Sequence, residues 1–244
     1  MPHFRLEDED FENVVVFLPL TGVVIAVLAY AVKYLFTALD CPVIATVCAV
    51  ILVPLVVTGG FHVDGFLDTV DALRSYRPRE KKLEILTDPH IGSFAVIAFS
   101  VAGLFMVCAL SVLTGYEESH GISFFGSVCA VFVFSRIFTA FVSIYIPKAV
   151  SDDMLVQETK NAAGSSYIFL ALQLIAVTAY VAYTEGYTAF VILAAFGVFT
   201  VIFRRIVLKN FGGITGDMAG YYVTAGEVFA ICALAAAAMV AVSC

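Results

Sequence analysis

Charge is what this sequence has least of. Of its 244 residues 14% are charged and 61% hydrophobic, where soluble domains carry roughly 25% charged and 45–50% apolar residues. The 13 basic residues are outnumbered by 20 acidic ones, so a basic face for nucleic acid is excluded. Seven Pro and 17 Gly lie scattered among long apolar runs. No linker and no internal repeat divide the chain, which reads as one domain over 1–244. Cys41, Cys48, Cys108, Cys129, Cys232 and Cys244 show no close pairing and mostly sit in apolar stretches. They read as small buried hydrophobes rather than as a disulfide framework or a metal site. The first 13 residues carry Glu7, Asp8, Glu9, Asp10 and Glu12. That acidic, solvated tail lacks the basic start of a signal peptide.

What fills the chain is apolar runs, near 14–36, 42–58, 91–113, 122–146, 166–184, 187–208 and 218–242. Each approaches the ~20 residues that a helix needs to cross a bilayer. The expectation is an all-α, polytopic membrane bundle of about seven helices. Arg74, Arg77, Arg79, Lys81 and Lys82 fall in the 59–90 connection, and Lys148 and Lys160 in the 147–165 connection. Arg204, Arg205 and Lys209 close the sixth run, while the connections at 114–121 and 184–187 hold no basic residue. With spans alternating, all three basic connections share one side, which the positive-inside rule makes cytoplasmic. The N-terminus then lies inside and the C-terminus outside. Lys33 dissents, near the outer end of the first span, and is expected to snorkel.

The strongest local signal is Thr58-Gly59-Gly60-Phe61-His62-Val63-Asp64-Gly65-Phe66-Leu67-Asp68-Thr69-Val70-Asp71. Asp64, Asp68 and Asp71 stand at i, i+4 and i+7, on one helical face. Like charges at that spacing repel, and beside a membrane they call for a cation among them. Hard carboxylate oxygens suit Mg²⁺, which takes one or two carboxylates together with substrate phosphates. The competing reading is a solvated acidic face, which the surrounding Phe61, Val63, Phe66, Leu67 and Val70 disfavour. His62 is a candidate ligand, proton carrier or structural residue, and the lack of soft ligands argues against zinc. Gly59-Gly60 could let the backbone approach a phosphate. Arg74 and Arg77, next to the carboxylates, suit an anion bridged by a metal, whereas Arg79, Lys81 and Lys82 read as anchoring. Asp88 sits where the chain turns into the third span, as a cap would.

A second motif, Phe211-Gly212-Gly213-Ile214-Thr215-Gly216-Asp217, follows the sixth run within the 209–217 loop on the same inferred face. It reads as a phosphate-approach loop or a bare turn. Glu227 in the last run and Arg136 in the fourth are ionisable residues at membrane depth, which marks both as candidate functional residues. Arg136 should face a carboxylate or a bound phosphate.

The first motif from Gly59 to Asp71 and the second from Gly212 to Asp217 resemble those of the cobalamin synthase family, the membrane-bound adenosylcobinamide-GDP ribazoletransferases. Phe17-Leu18-Pro19-Leu20-Thr21-Gly22, Asp88 through Gly92 and Ser135-Arg136 extend the resemblance over most of the chain. Where relatives often carry Arg followed by Glu-Gly-Leu-Gly, this chain reads Ser151-Asp152-Asp153-Met154-Leu155. It has Thr224 where they often have Glu, and Glu227 keeps the second acidic position. Relatives also usually have a further N-terminal segment.

The resemblance implies Mg²⁺-dependent transfer of the adenosylcobinamide phosphate from adenosylcobinamide-GDP to α-ribazole, or to its 5′-phosphate, with release of GMP. It implies that Asp64, Asp68 and Asp71 hold metal and that Asp217 adds a ligand or orients the hydroxyl. His62 or an Asp would take the proton, and Arg136 with Arg74 would offset phosphate charge. Gly59, Gly60, Gly65, Asp88, Gly212, Gly213, Thr215, Gly216 and Glu227 would complete the substrate site. The implied setting is a prokaryotic cell membrane, multi-pass, with a cytoplasmic active face and no nucleic acid. A homo-oligomer or association with other corrinoid-assembly enzymes stays open.

Two rivals compete. A CDP-alcohol phosphotransferase needs Asp-Gly, two residues, then Ala-Arg, but Asp64-Gly65-Phe66-Leu67 is followed by Asp68-Thr69. A cation-coupled transporter predicts acids at the midplane on broken helices, whereas these gather at one edge.

Overall fold

The computed structural model describes residues 14–243 apart from positions 152, 161 and 163. The acidic tail at 1–13 and Cys244 lie outside the described residues. A short 3₁₀ turn, Val14–Phe17, leads into α1, Leu18–Ala38. Then come α2 (Val43–Thr58), α3 (Phe61–Arg74), α4 (Arg79–Ile85) and α5 (Ser93–His120). They are followed by α6 (Phe125–Tyr145), α7 (Met154–Glu158), α8 (Gly164–Glu185), α9 (Thr188–Asn210) and α10 (Gly216–Ser243). The expected all-α polytopic bundle is what the chain forms. Among the described residues six helices are individually long and apolar enough to cross a membrane, and a seventh span exists only if α2 and α3 count as one.

The difference lies at the second run. It makes 16 residues of helix with Pro54 inside, and the chain then turns by 93° into α3. The turn is made at Gly59 and Gly60, with φ of 61° and 85°, a left-handed conformation that side chains penalise. The third run also extends past its expected end, because the polar residues up to His120 continue α5.

α6 is the axis of the bundle. Most of its residues are buried, while α5 and α8 turn side chains such as Ile97, Leu104, Leu172 and Ile175 outward. Such an apolar exterior suits lipid rather than water. α1 crosses α6 closely at Gly22, where an added Cβ would stand 2.5 Å from the Phe132 carbonyl oxygen.

Polar groups collect at the two ends. At one end Lys33 forms an ion pair with Glu117 and lies 4.5 Å from the centre of the Phe125 ring. This cation is therefore paired as well as placed at an end. There Ser127 donates to Thr188 at 2.7 Å. At the other end α3, α4, the 147–149 segment and the 210–217 loop meet. Lys82, read from sequence as an anchor, is instead buried, and its ammonium donates to Asn210 at 2.6 Å.

Gly22→Val should cost about 1–3 kcal/mol, because its side chain would meet backbone that cannot yield. In detergent this reads as a lowered melting midpoint. Gly115→Val, where an added Cβ meets nothing within 4 Å, should leave the midpoint near wild type.

Candidate active site

α3 has two faces because its apolar residues and its acids alternate with helical period. Phe66 and Val70 are buried together with Gly65, Thr69 and Ala72, and Asp64 and Asp68 lie on the other side. The buried face meets α10 backbone to backbone. A Cβ on Gly65 would stand 2.5 Å from the Asp217 carbonyl oxygen, and one on Gly220 would stand 3.0 Å from that of His62. Phe66 stacks on Tyr221 at 5.5 Å, and the Thr224 hydroxyl donates to the His62 carbonyl at 3.1 Å. Thr224 thus fastens α3 to α10.

This crossing sets Asp217 beside the acidic face. The like charges of Asp64, Asp217 and Asp71 all act on Asp68. Asp64, Leu67 and Asp68 form one wall of an open cleft of about 560 Å³, with the segment from Leu86 to Ile91 opposite. Asp88 borders both that cleft and an adjoining groove lined by Arg77, Lys81 and Glu84. The acidic cleft thus adjoins a groove of mixed charge, in which the Lys81 ammonium is paired with Glu84 at 2.7 Å and Arg77 adds a second cation.

Asp71, expected with Asp64 and Asp68, does other work. One carboxylate oxygen accepts from the Gly92 amide and the other from the Ala95 amide, the latter at 2.9 Å. It caps α5 by meeting backbone donors that the helix itself leaves unpaired. Asp88 does not take that role. It accepts from the His90 amide at 3.0 Å and from the imidazole Nδ1 at 2.7 Å, contacts that hold its carboxyl below the usual carboxylate range.

The glycine-rich loop is occupied by protein groups. The Arg79 guanidinium lies over Gly212, and Gly213 lies so close to the Pro147 carbonyl that an added Cβ would be 2.4 Å from it. Beyond them the Ile214 amide donates to Pro147 at 2.8 Å, and the Ala149 amide donates to Ile214 at 3.0 Å. The Gly216 amide is taken by Asp153 at 2.9 Å, a residue that its sequence context did not single out. Thr215 accepts from the Met218 amide at 3.4 Å. Gly212, Gly213, Thr215 and Gly216 therefore position α10, and through it Asp217.

The remaining candidates separate. Arg136 and Glu227 find each other: the Arg136 Nη1 donates to Glu227, and Ser135 donates to the same carboxylate at 2.9 Å. The pair is buried, which answers where each lone charge within an apolar run finds its partner. His62 is not brought to the acids. It faces away from Asp64 and Asp68 around α3 and lines two other cavities. Arg74 is exposed at the end of α3, its charge acting on Tyr221. Among the described residues no three His, Cys, Asp or Glu stand close enough to hold a metal by themselves.

An all-helical membrane bundle with acids and cations on one rim defines the class. The comparison with known proteins gives the family. The family model described as cobalamin-5-phosphate synthase matches residues 1–235, and the chain belongs to that family. A protein named adenosylcobinamide-GDP ribazoletransferase from Lachnoclostridium phytofermentans is 30% identical, over 94% of this chain and 86% of its own length. A protein of the same name from Clostridium perfringens strain SM101 is 29% identical, over 91% of this chain and 86% of its own. One from Listeria monocytogenes is 28% identical, over 83% and 78%. No solved structure matches.

Asp71→Ala should lower stability by about 0.5–2 kcal/mol through loss of the α5 cap, seen as a lower melting midpoint. His90→Ala should let the Asp88 carboxyl rise toward its ordinary value, measured by carbon-detected NMR titration. The sign follows from the direction of the shift: the Asp88–His90 contact persists above the usual carboxylate range and is lost as pH falls through the lowered Asp88 value.

Proposed function

We propose that this chain transfers the adenosylcobinamide phosphate of adenosylcobinamide-GDP to α-ribazole or its 5′-phosphate. The observation that supports this most is the acidic cleft of Asp64 and Asp68 joined through Asp88 to the groove that Arg77 lines. A diphosphate needs both kinds of partner, because phosphoryl transfer is mostly positioning and charge neutralisation. Family membership and the relatives' shared name support the same reaction.

A ribose hydroxyl of α-ribazole attacks the cobinamide-bearing phosphorus. The new P–O bond forms as the bond to the GMP oxygen breaks, and GMP leaves with that electron pair. Asp217, set next to Asp64 and Asp68 by the Gly65 crossing, accepts the hydroxyl proton. Arg77 draws the anionic end of the substrate into the groove, while Lys81 is paired with Glu84. His62 and the Arg136–Glu227 pair take no part in the proton transfer.

The donor set fits Mg²⁺. Crowded carboxylates of like sign gain from a hard cation, and Mg²⁺ needs only one or two of them when phosphate oxygens complete its shell. Asp64 and Asp68 would hold it; Asp71 would not, because both its oxygens serve the α5 amides. When bound, the ion neutralises charge that develops on the diphosphate. The cleft end of the bundle would face the cytoplasm, since the basic connections gather there.

The rival readings lack such support. A transporter would carry its acids at mid-depth, yet the buried Glu227 is already matched by Arg136.

Asp64→Asn or Asp68→Asn should reduce GMP release by at least ~100-fold, a loss on the scale of one catalytic group. Elution and melting in detergent should stay at wild-type values. Near-normal turnover in either variant would sink the assignment. Chelation should stop wild-type turnover, and added Mg²⁺ should restore it.

A further inference from the structure

α9 closes on three cations. Arg204, Arg205 and Lys209 are all exposed, and among the described residues none of them pairs with a carboxylate. Other cations at this end of the bundle are taken up by the protein: Lys81 pairs with Glu84, Lys82 donates to Asn210, and Lys148 donates to the Ser143 carbonyl. Lys209 stands in the last turn of α9, where a cation offsets the helix dipole. Arg204 and Arg205 come before that turn, so the dipole does not account for them.

Their helical position says what they face. Phe190, Ala194, Val198, Val201, Arg205 and Lys209 follow one another at spacings of three and four residues, and every one of them is exposed. One stripe along α9 is therefore apolar for most of its length and cationic at its end. From Phe190 to Val201 it rises about 16 Å at 1.5 Å per residue, close to one leaflet of a hydrocarbon core ~30 Å thick. Arg204 leaves the stripe to one side, with its guanidinium 5.6 Å from the centre of the Tyr145 ring. Tyr145 is itself exposed, at the end of α6. A tyrosine beside cations where an apolar span ends is the arrangement of a membrane–water interface.

The occupant that fits has the same order of parts, a hydrocarbon chain ending in an anion. A free anion would meet the cations and leave the stripe unused. An acidic protein segment would need the cations turned to water, whereas Arg205 continues the apolar stripe itself. Phosphate oxygens suit both head groups, the guanidinium as a planar fork and the ammonium as a point charge.

We propose that this end of α9 is a binding site for an anionic phospholipid, with its phosphate held by Arg205 and Lys209 and its acyl chain laid along the stripe from Phe190 to Val201. Arg204 adds a third cation from the Tyr145 side. The proposal rests on the membrane-bundle fold and is independent of the transferase reading. Lys209 directly precedes the 210–217 loop, so the lipid borders the segment that positions α10.

The test uses the full chain in nanodiscs of phosphatidylglycerol and phosphatidylcholine, mixed equally and with the same acyl chains. Native mass spectrometry of the released protein reads which lipid it holds longest. Wild type should retain phosphatidylglycerol over phosphatidylcholine by at least about tenfold, roughly 1.4 kcal/mol. The triple variant Arg204→Gln, Arg205→Gln, Lys209→Gln should bring the ratio close to one, with a melting midpoint in detergent near wild type. Arg205→Gln alone should lower the ratio about fivefold, the effect of one basic residue at an anionic surface, and it serves if the triple variant melts early. The exchange of Arg205→Lys with Lys209→Arg keeps the charge and should keep the preference. Excess inorganic phosphate should leave the lipid in place.

Equal retention of the two lipids by wild type overturns the proposal, as does a preference that survives in the folded triple variant. Displacement of the lipid by inorganic phosphate would make this a free-anion site and also overturns it. So does a poly-glutamate peptide that binds wild type and not the triple variant while lipid retention is the same in both.

Discussion

Gly65 and Gly220 let two backbones touch, and the polar end of the molecule is arranged around that contact. Any side chain at Gly65 would meet the backbone of Asp217 at 2.5–3.0 Å. That contact fixes the separation of α3 and α10, and so of the acids they carry. Phe66 on Tyr221 and Thr224 on the His62 carbonyl guard its register. Asp71 then ties α3 to α5, Asp153 ties the 153–158 region to α10, and Lys82 ties α4 to α9. Each tie uses a polar side chain to satisfy a group at a helix end or in a loop, where the helix provides no partner of its own.

Arg136 and Glu227 form a second centre, deeper in the bundle. Burying two charges is expensive even when they meet, and apolar residues would pack there more cheaply. What the pair does in the fold is join α6 to α10 across the middle of the bundle, with Ser135 donating to the same carboxylate.

Much of this was legible in the chain. Apolar run length revealed the spans, and the i, i+4, i+7 carboxylates revealed the amphipathic α3 and its acidic face. Arg136 and Glu227 each stood out against their runs. Their pairing did not, because no local rule links residues 91 positions apart. Asp71 was read with its helical neighbours, yet its partners are the Gly92 and Ala95 amides, supplied by another helix end and silent in composition. The glycines of the second motif suggested an approaching phosphate. The close approach is real, but it is made by Arg79 and Pro147, and the sequence pattern cannot tell one visitor from another. Lys82 looked like an anchor because charge patterning assumes that lysines reach water, and this one reaches Asn210.

The short second helix carries a mechanical consequence. At 16 residues α2 spans about 24 Å, less than the ~30 Å hydrocarbon depth of an ordinary bilayer. α2 therefore does not reach across such a core by itself, and the chain leaves its direction at Gly59-Gly60, where α3 departs at 93°. The acids of α3 thus start from the end of a short helix, so the length of α2 sets their height against the rest of the bundle. One turn more or less in α2 would move the acidic cleft by about 5.4 Å along the bundle, so a helix that carries none of the acids decides the depth at which they stand.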